Sequence, residues 1–211
     1  MVSEAFIAQK LLQINAIKLR PQTPFTWASG IKSPIYCDNR ITLSYPEVRK
    51  SIIEAFVAKA HHYPGVECIA GVATAGIAHG ALLAHVLDLP YIYVRSKAKG
   101  HGRQNLIEGE LKEGAKVLVI EDLISTGGSS IQAVKALKVA GAEVLAVLAI
   151  FSYGFEVAKN NFASIDCKFE TLSNYQTLLR EAEKIEYISV EEKHTLEEWN
   201  AAPETWYDKY F

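Results

Sequence analysis

The sequence predicts an α/β protein built on a parallel sheet with helices on its faces. The run Val117-Leu118-Val119-Ile120 is apolar and carries three β-branched residues, as a strand buried on both faces does. Two carboxylates, Glu121 and Asp122, follow at its carboxyl end, where open α/β sheets bind their ligands. Strand, glycine turn and helix then recur. Residues 67–72 lead through Gly71-Val72-Ala73-Thr74-Ala75-Gly76 into Ile77 to Leu87, and 117–120 lead through Ser125-Thr126-Gly127-Gly128-Ser129 into a helix over 131–140.

The composition suits one domain with an appendage: 211 residues, 49% of them apolar. A net charge of −2 gives no global basic field for nucleic acid or an acidic membrane surface. Cys37, Cys68 and Cys167 are odd in number and widely spaced, without a metal or disulfide pattern, as expected of small buried hydrophobes in a reducing compartment. No apolar run reaches membrane-spanning length, and the N-terminus lacks the basic-then-apolar order of a signal peptide, so a cytoplasmic location is expected.

Along the chain, Phe6, Ile7, Leu11, Leu12 and Ile14 predict an amphipathic helix over 3–16. Pro21, Pro24 and Pro34 break helices in the next stretch, leaving short extended pieces at 25–27 and 35–37. These segments, residues 1–42, are read as a small hood over a core of 43–211. Ser44 with Glu47 predicts a capping box and a helix through His61. His79 and His85 belong to the packing or surface of the 77–87 helix, without ligand spacing. Pro90 to Val94 is a strand. After it, Arg95-Ser96-Lys97-Ala98-Lys99-Gly100-His101-Gly102-Arg103-Gln104-Asn105 gathers cations between glycines and reads as a closing basic lid. Glu143 to Phe151 is a further strand, followed by helix 155–162, strand 167–171, helix 174–184 and a helix capped by Ser189 and Glu192. The aromatic tail 206–211 is read as docking onto a neighbour.

The turn at 125–129 offers backbone N–H groups and the positive end of a helix dipole to an anion. Gly127 and Gly128 permit close approach of phosphate oxygens. An anion cradle beside two carboxylates suits a phosphorylated sugar, phosphate on the amides and hydroxyls on the acids. No Gly-Lys-Ser/Thr follows the strand and no G-x-G-x-x-G is present, which excludes a Walker A loop and a dinucleotide fingerprint.

The stretch Val117 to Ser130 resembles the phosphoribosyl-pyrophosphate signature of the type I phosphoribosyltransferases, and Phe25 to Asp38 resembles the N-terminal motif of the orotate phosphoribosyltransferases, particularly the Gram-positive form. The resemblance implies the type I phosphoribosyltransferase fold. It also implies transfer of a phosphoribosyl group from phosphoribosyl pyrophosphate to orotate, in pyrimidine biosynthesis and with Mg²⁺. By position in the motif, Glu121 and Asp122 would meet the ribose hydroxyls and Ser125, Thr126, Gly127, Gly128 and Ser129 the 5′-phosphate, with Leu123 and Ile124 also among the residues binding phosphoribosyl pyrophosphate. Arg95, Lys99 and His101 would meet pyrophosphate, with Lys99, His101 and Asp122 catalytic, and Ser125 and Tyr36 would meet orotate. The metal would be held by substrate and water rather than by a fixed protein ligand. The active unit would be a homodimer that shares loop 95–105 across its interface, without nucleic acid or membrane partners. Ala28, Thr74-Ala75 and Phe151-Ser152-Tyr153-Gly154 depart from the basic residues many relatives carry there. A transferase for another base and a phosphoribosyl-pyrophosphate-sensing regulator are the alternatives.

Overall fold

The computed structural model describes residues 2–27, 30–97 and 106–211. In chain order the elements are α1 (Glu4–Gln13), β1 (Ile17–Leu19), β2 (Phe25–Thr26), β3 (Lys32–Ser33), β4 (Ile35–Cys37), a 3-10 helix (Asn39–Ser44), α2 (Pro46–Ala60), β5 (Cys68–Val72), α3 (Gly76–Leu87), β6 (Tyr91–Val94) and β7 (Ile107–Glu108). Then follow β8 (Lys116–Ile124), α4 (Gly128–Val139), β9 (Glu143–Ser152), α5 (Glu156–Ala163), β10 (Phe169–Asn174), α6 (Tyr175–Lys184), α7 (Val190–Ala201) and α8 (Trp206–Tyr210).

Six strands form one sheet in the order β10-β9-β8-β5-β6-β7. Its pairs are parallel except β6 with β7, an antiparallel edge that the sequence reading did not contain. Helices cover both faces, and alternation along β8 divides the core between them. Leu118 and Ile120 join α1, α2, α3, α6 and α7 on one face. Val117 and Val119 join Ala133, Val134 and Leu137 of α4 and Phe162 of α5 on the other.

The N-terminal segments make two small antiparallel pairs, β1 with β4 and β2 with β3. They share one apolar cluster with α1, α2, α6 and α7. Trp27 of this region reaches Trp199 of α7 edge-on, with centroids 5.6 Å apart, and Lys32 of β3 lies over the Tyr207 ring of the tail.

Several expected boundaries move for identifiable reasons. The 3–16 helix stops at Gln13, because Asn15 turns to φ +56° and leads into β1. The Ser44–Glu47 capping box does not form: Ser44 ends the 3-10 helix, Tyr45 is the N-cap without a side-chain bond, and Pro46 starts α2. Proline suits a helix's first turn, since its missing N–H would have no intrahelical partner there. The last strand spans 169–174 rather than 167–171 because its register follows β9, Phe169 opposite Val147. The Ser189–Glu192 capping box does form. The aromatic tail docks on its own chain: Trp206 is buried, and its Nε1 donates to Thr195 O at 3.1 Å.

His79 is fully buried in α3, and burial together with the charge of Arg49 lowers its pKa to about 4. The folded chain therefore holds it neutral while the unfolded chain protonates it below about 6.5. Stability should rise with pH between about 4 and 6.5, by up to ~3 kcal/mol in all. Urea denaturation at pH 4.5 and 7 should show that slope reduced in His79→Leu; an equal slope in the two proteins would locate the titration elsewhere.

Candidate functional site

Strand β8 runs four residues beyond its apolar run, so Glu121 and Asp122 lie within it. On one side the ladder to β9 continues through Glu121–Ala149, Leu123–Phe151 and Ile124–Ser152. On the other, pairing with β5 ends at Gly71–Ile120. Asp122 thus has no strand to bond on that side. Its N–H donates to Glu121 Oε1 at 3.0 Å, and its carbonyl accepts from Asn39 Nδ2 at 2.7 Å. A backbone that would otherwise be orphaned is satisfied by two side chains.

The two carboxylates have different surroundings. Glu121 is buried toward α4, where it accepts the Ser130 hydroxyl on Oε2 at 3.0 Å. It braces the strand end against the helix that follows. Burial, reinforced by the Asp122 charge, pushes its pKa well up. Asp122 is half-buried, its carboxyl within the field of Arg40 and bonded to the Glu121 side chain. Burial raises its pKa too, opposed by the bond with Glu121. Arg40 itself is held in a two-pronged ion pair by Asp38, at 2.7 and 2.9 Å.

The turn at 125–127 delivers the chain into α4 through Gly127, whose φ is +83°. Among the described residues no side chain caps this helix, so its first amides keep their donors for a ligand. Thr126, Gly128 and Ser129 are exposed and Ser125 is half-buried. Asn161 of α5 holds the turn from behind, Nδ2 to Thr126 O at 3.0 Å. A Cβ on Gly127 would lie 2.7 Å from Phe162 Cε2. Leu123 and Ile124 contribute differently from the rest of their segment. Ile124 is fully buried in the α4-side core and Leu123 packs on the opposite cluster, so their side chains are packing groups.

The second turn, 73–75, leads into α3 beside this one. Thr74 is exposed, Ala73 N bonds to Val94 O, and the Ala73–Thr74 peptide is cis. Gly76 seats the start of α3 on β8 so closely that a Cβ there would lie 2.3 Å from Ile120 O. Arg95 follows β6, its guanidinium 3.2 Å from Glu108. Tyr36, in β4, is exposed and packs on Phe25 with centroids 5.5 Å apart. Lys99 and His101 lie outside the described residues, as do Ala28 and Ser29 of the hood motif.

Sequence reasoning missed three contributors. Asn39 fixes Asp122. Ser130 fixes Glu121, and its helix position nine residues on was visible, although its partner was not. Tyr153, just past β9, centres an aromatic cluster with Trp27, Phe155, Tyr175 and Trp199. Asp122 and Cys37 contribute to holding the Tyr153 phenol well above its usual pKa, after burial. Among the described residues there is no group of three or more His, Cys, Asp or Glu placed to hold a metal ion, and no helix long and apolar enough to cross a membrane.

A parallel sheet whose carboxyl edge carries an acidic pair and a bare helix start, faced by a second glycine turn, defines the architecture of a phosphoribosyltransferase. The phosphoribosyl transferase domain family matches residues 48–170. An orotate phosphoribosyltransferase of Cytophaga hutchinsonii is 53% identical over 201 residues, 95% of this chain and 96% of that protein. One from Listeria innocua is 52% identical over 207 residues, covering 98% and 99%. The crystal structure of orotate phosphoribosyltransferase from Aeropyrum pernix superposes with a TM-score of 0.75 at 27% identity, covering 87% of this chain and 99% of that one. The chain belongs to the orotate phosphoribosyltransferase family of pyrimidine biosynthesis. Similar identity to the Cytophaga and Listeria proteins means that a Gram-positive form is not singled out.

Proposed function

We propose that this chain transfers the phosphoribosyl group of phosphoribosyl pyrophosphate to orotate, giving orotidine 5′-monophosphate and pyrophosphate. The observation that carries the reading is the uncapped start of α4 beside Asp122. The amides of 128–130 would take the 5′-phosphate, with Ser125, Thr126 and Ser129 hydroxyls. Asp122 would accept from the ribose hydroxyls, and Glu121 would hold Asp122 in place. The 73–76 turn and Arg95, with Lys99 and His101 of the lid, would meet pyrophosphate. Tyr36 and Ser125 would contact the base.

Displacement at the anomeric carbon develops negative charge on pyrophosphate and positive charge on the ribose. Cations fixed on the first and a carboxylate near the second stabilise the transition state more than the ground state. Asp122 is a hard oxygen donor of the kind Mg²⁺ tolerates nearby, although this ion keeps mostly phosphate and water ligands. When bound, Mg²⁺ would neutralise charge on the departing pyrophosphate. Turnover is tested by following orotate absorbance with phosphoribosyl pyrophosphate and Mg²⁺. Loss that requires all three supports the reading. Product with a purine base and none with orotate would contradict it.

The reading extends to a cytoplasmic homodimer in which each lid serves the partner's site. An apolar groove of about 480 Å³ lies between α2 and α3, lined in part by Ile53, Val57, Leu82 and the exposed Val86. Lys99→Ala and Asp122→Asn homodimers should both be poor enzymes. Re-equilibrating equal amounts makes about half of the dimers mixed, each with one intact site, so activity should climb toward about a quarter of wild type. A mixture showing only the average of the two mutants would mean that each lid closes over its own subunit.

A further inference from the structure

The 3-10 helix Asn39–Ser44 touches both halves of the site from behind, through bonds that are all internal to the protein. Asn39 is fully buried, and its Nδ2 donates to Asp122 O at 2.7 Å. Thr42, also fully buried, donates its hydroxyl proton to Asn39 O at 2.5 Å. With that proton committed, Thr42 Oγ1 can only accept from His79 Nε2, 3.3 Å away. His79 is therefore the neutral tautomer protonated on Nε2. It lies three residues after Gly76, in the first turn of the helix that the 73–76 turn opens. Gly76 rests on Ile120, two residues before Asp122. The path from Asp122 through Asn39, Thr42 and His79 to the start of α3 thus returns to β8, closing a ring. Arg49 pins the end of the 3-10 helix, Nη1 to Leu43 O at 2.6 Å.

We infer that Asn39, Thr42 and His79 are positioning residues that hold the Asp122 peptide at a fixed offset from the start of α3, presenting the ribose acceptor and the pyrophosphate turn as one rigid frame. The inference rests on the reading that Asp122 and the 73–76 turn contact the two halves of phosphoribosyl pyrophosphate. Asn39 Nδ2, Thr42 Oγ1 and His79 Nε2 are bonded, while Asn39 Oδ1 and His79 Nδ1 are buried without a partner among the described residues, so these three directional bonds set the one arrangement where apolar packing would admit several. A ligand that spans both contacts is sensitive to the offset between them. A ligand that uses one contact is not.

The test compares ribose 5-phosphate, inorganic pyrophosphate and phosphoribosyl pyrophosphate by calorimetry on Thr42→Val, His79→Leu and His79→Gln, with melting temperatures recorded. Thr42→Val keeps the shape and removes the hydroxyl; His79→Gln restores an N–H donor. The two half-ligands should bind within about twofold of wild type, while phosphoribosyl pyrophosphate weakens about tenfold in Thr42→Val and His79→Leu and recovers in part in His79→Gln. Folded variants that bind all three ligands as wild type, or lose all three equally whatever their melting temperature, would overturn the inference. Should Thr42→Val not fold, the two His79 variants give the same comparison. Asp122→Asn keeps the carbonyl that Asn39 holds, so it separates the two readings: unchanged affinity for phosphoribosyl pyrophosphate together with unchanged kcat/KM there would sink the site assignment rather than the frame.

Discussion

Gly127→Val is expected to abolish measurable binding of phosphoribosyl pyrophosphate. Two effects act together. The native φ of +83° is one that a β-branched residue adopts only under strain of about 1–3 kcal/mol. The new side chain would also begin 2.7 Å from Phe162 Cε2, and Phe162 is buried in the α4-side core, so the turn rather than the ring must yield. Overpacking of this kind costs a further ~1–3 kcal/mol. Displacing the turn misdirects the first amides of α4, and losing two charge-assisted bonds to phosphate costs about 3–6 kcal/mol, a hundredfold or more in affinity. Gly128→Ala is the control, because its Cβ would meet only Thr126 Oγ1, at 3.9 Å. Calorimetry should find a far larger loss of affinity in Gly127→Val than in Gly128→Ala. Equal affinities would mean that the phosphate lies elsewhere.

Asp122→Asn should keep the fold and lose about 1.5–3 kcal/mol of transition-state stabilisation, roughly ten- to a hundredfold in kcat/KM. The backbone bonds to Glu121 and Asn39 do not involve its side chain, which is why the strand end should survive. Burial raises the Asp122 carboxyl above the ordinary aspartate range. The acid limb of kcat/KM should therefore lie at higher pH than a solvated aspartate would give, and should vanish in the mutant. An unchanged profile would assign that limb to another group.

Much of this site was legible because its key features are local. Apolar runs of β-branched residues, glycines at turns and 3.6-residue spacing identified β8, α4, β5 and α3 to within a few residues. The end of β8 was harder to see: Glu121 and Asp122 break the apolar pattern, and their strand geometry is imposed by β9 alone. The adjacent carboxylates read as an equivalent pair, yet their surroundings differ: Glu121 accepts from Ser130 in α4, and Asp122 lies in the field of Arg40. Asn39 and the cluster around Tyr153 depend on contacts between distant segments, such as Asn39 with Asp122 and Trp27 with Trp199, which carry no local signature. The edge strand β7 is two residues long, too short for periodicity to register.

On this reading the carboxyl edge of the sheet, at the starts of α3 and α4, cradles the phosphorylated sugar. Amide hydrogen exchange with and without phosphoribosyl pyrophosphate and Mg²⁺ tests it directly. Ligand-dependent slowing should concentrate at 122–130 and 73–77, with little change along the groove between α2 and α3. Slowing confined to that groove, or none at 125–130 under saturating ligand, would contradict the claim.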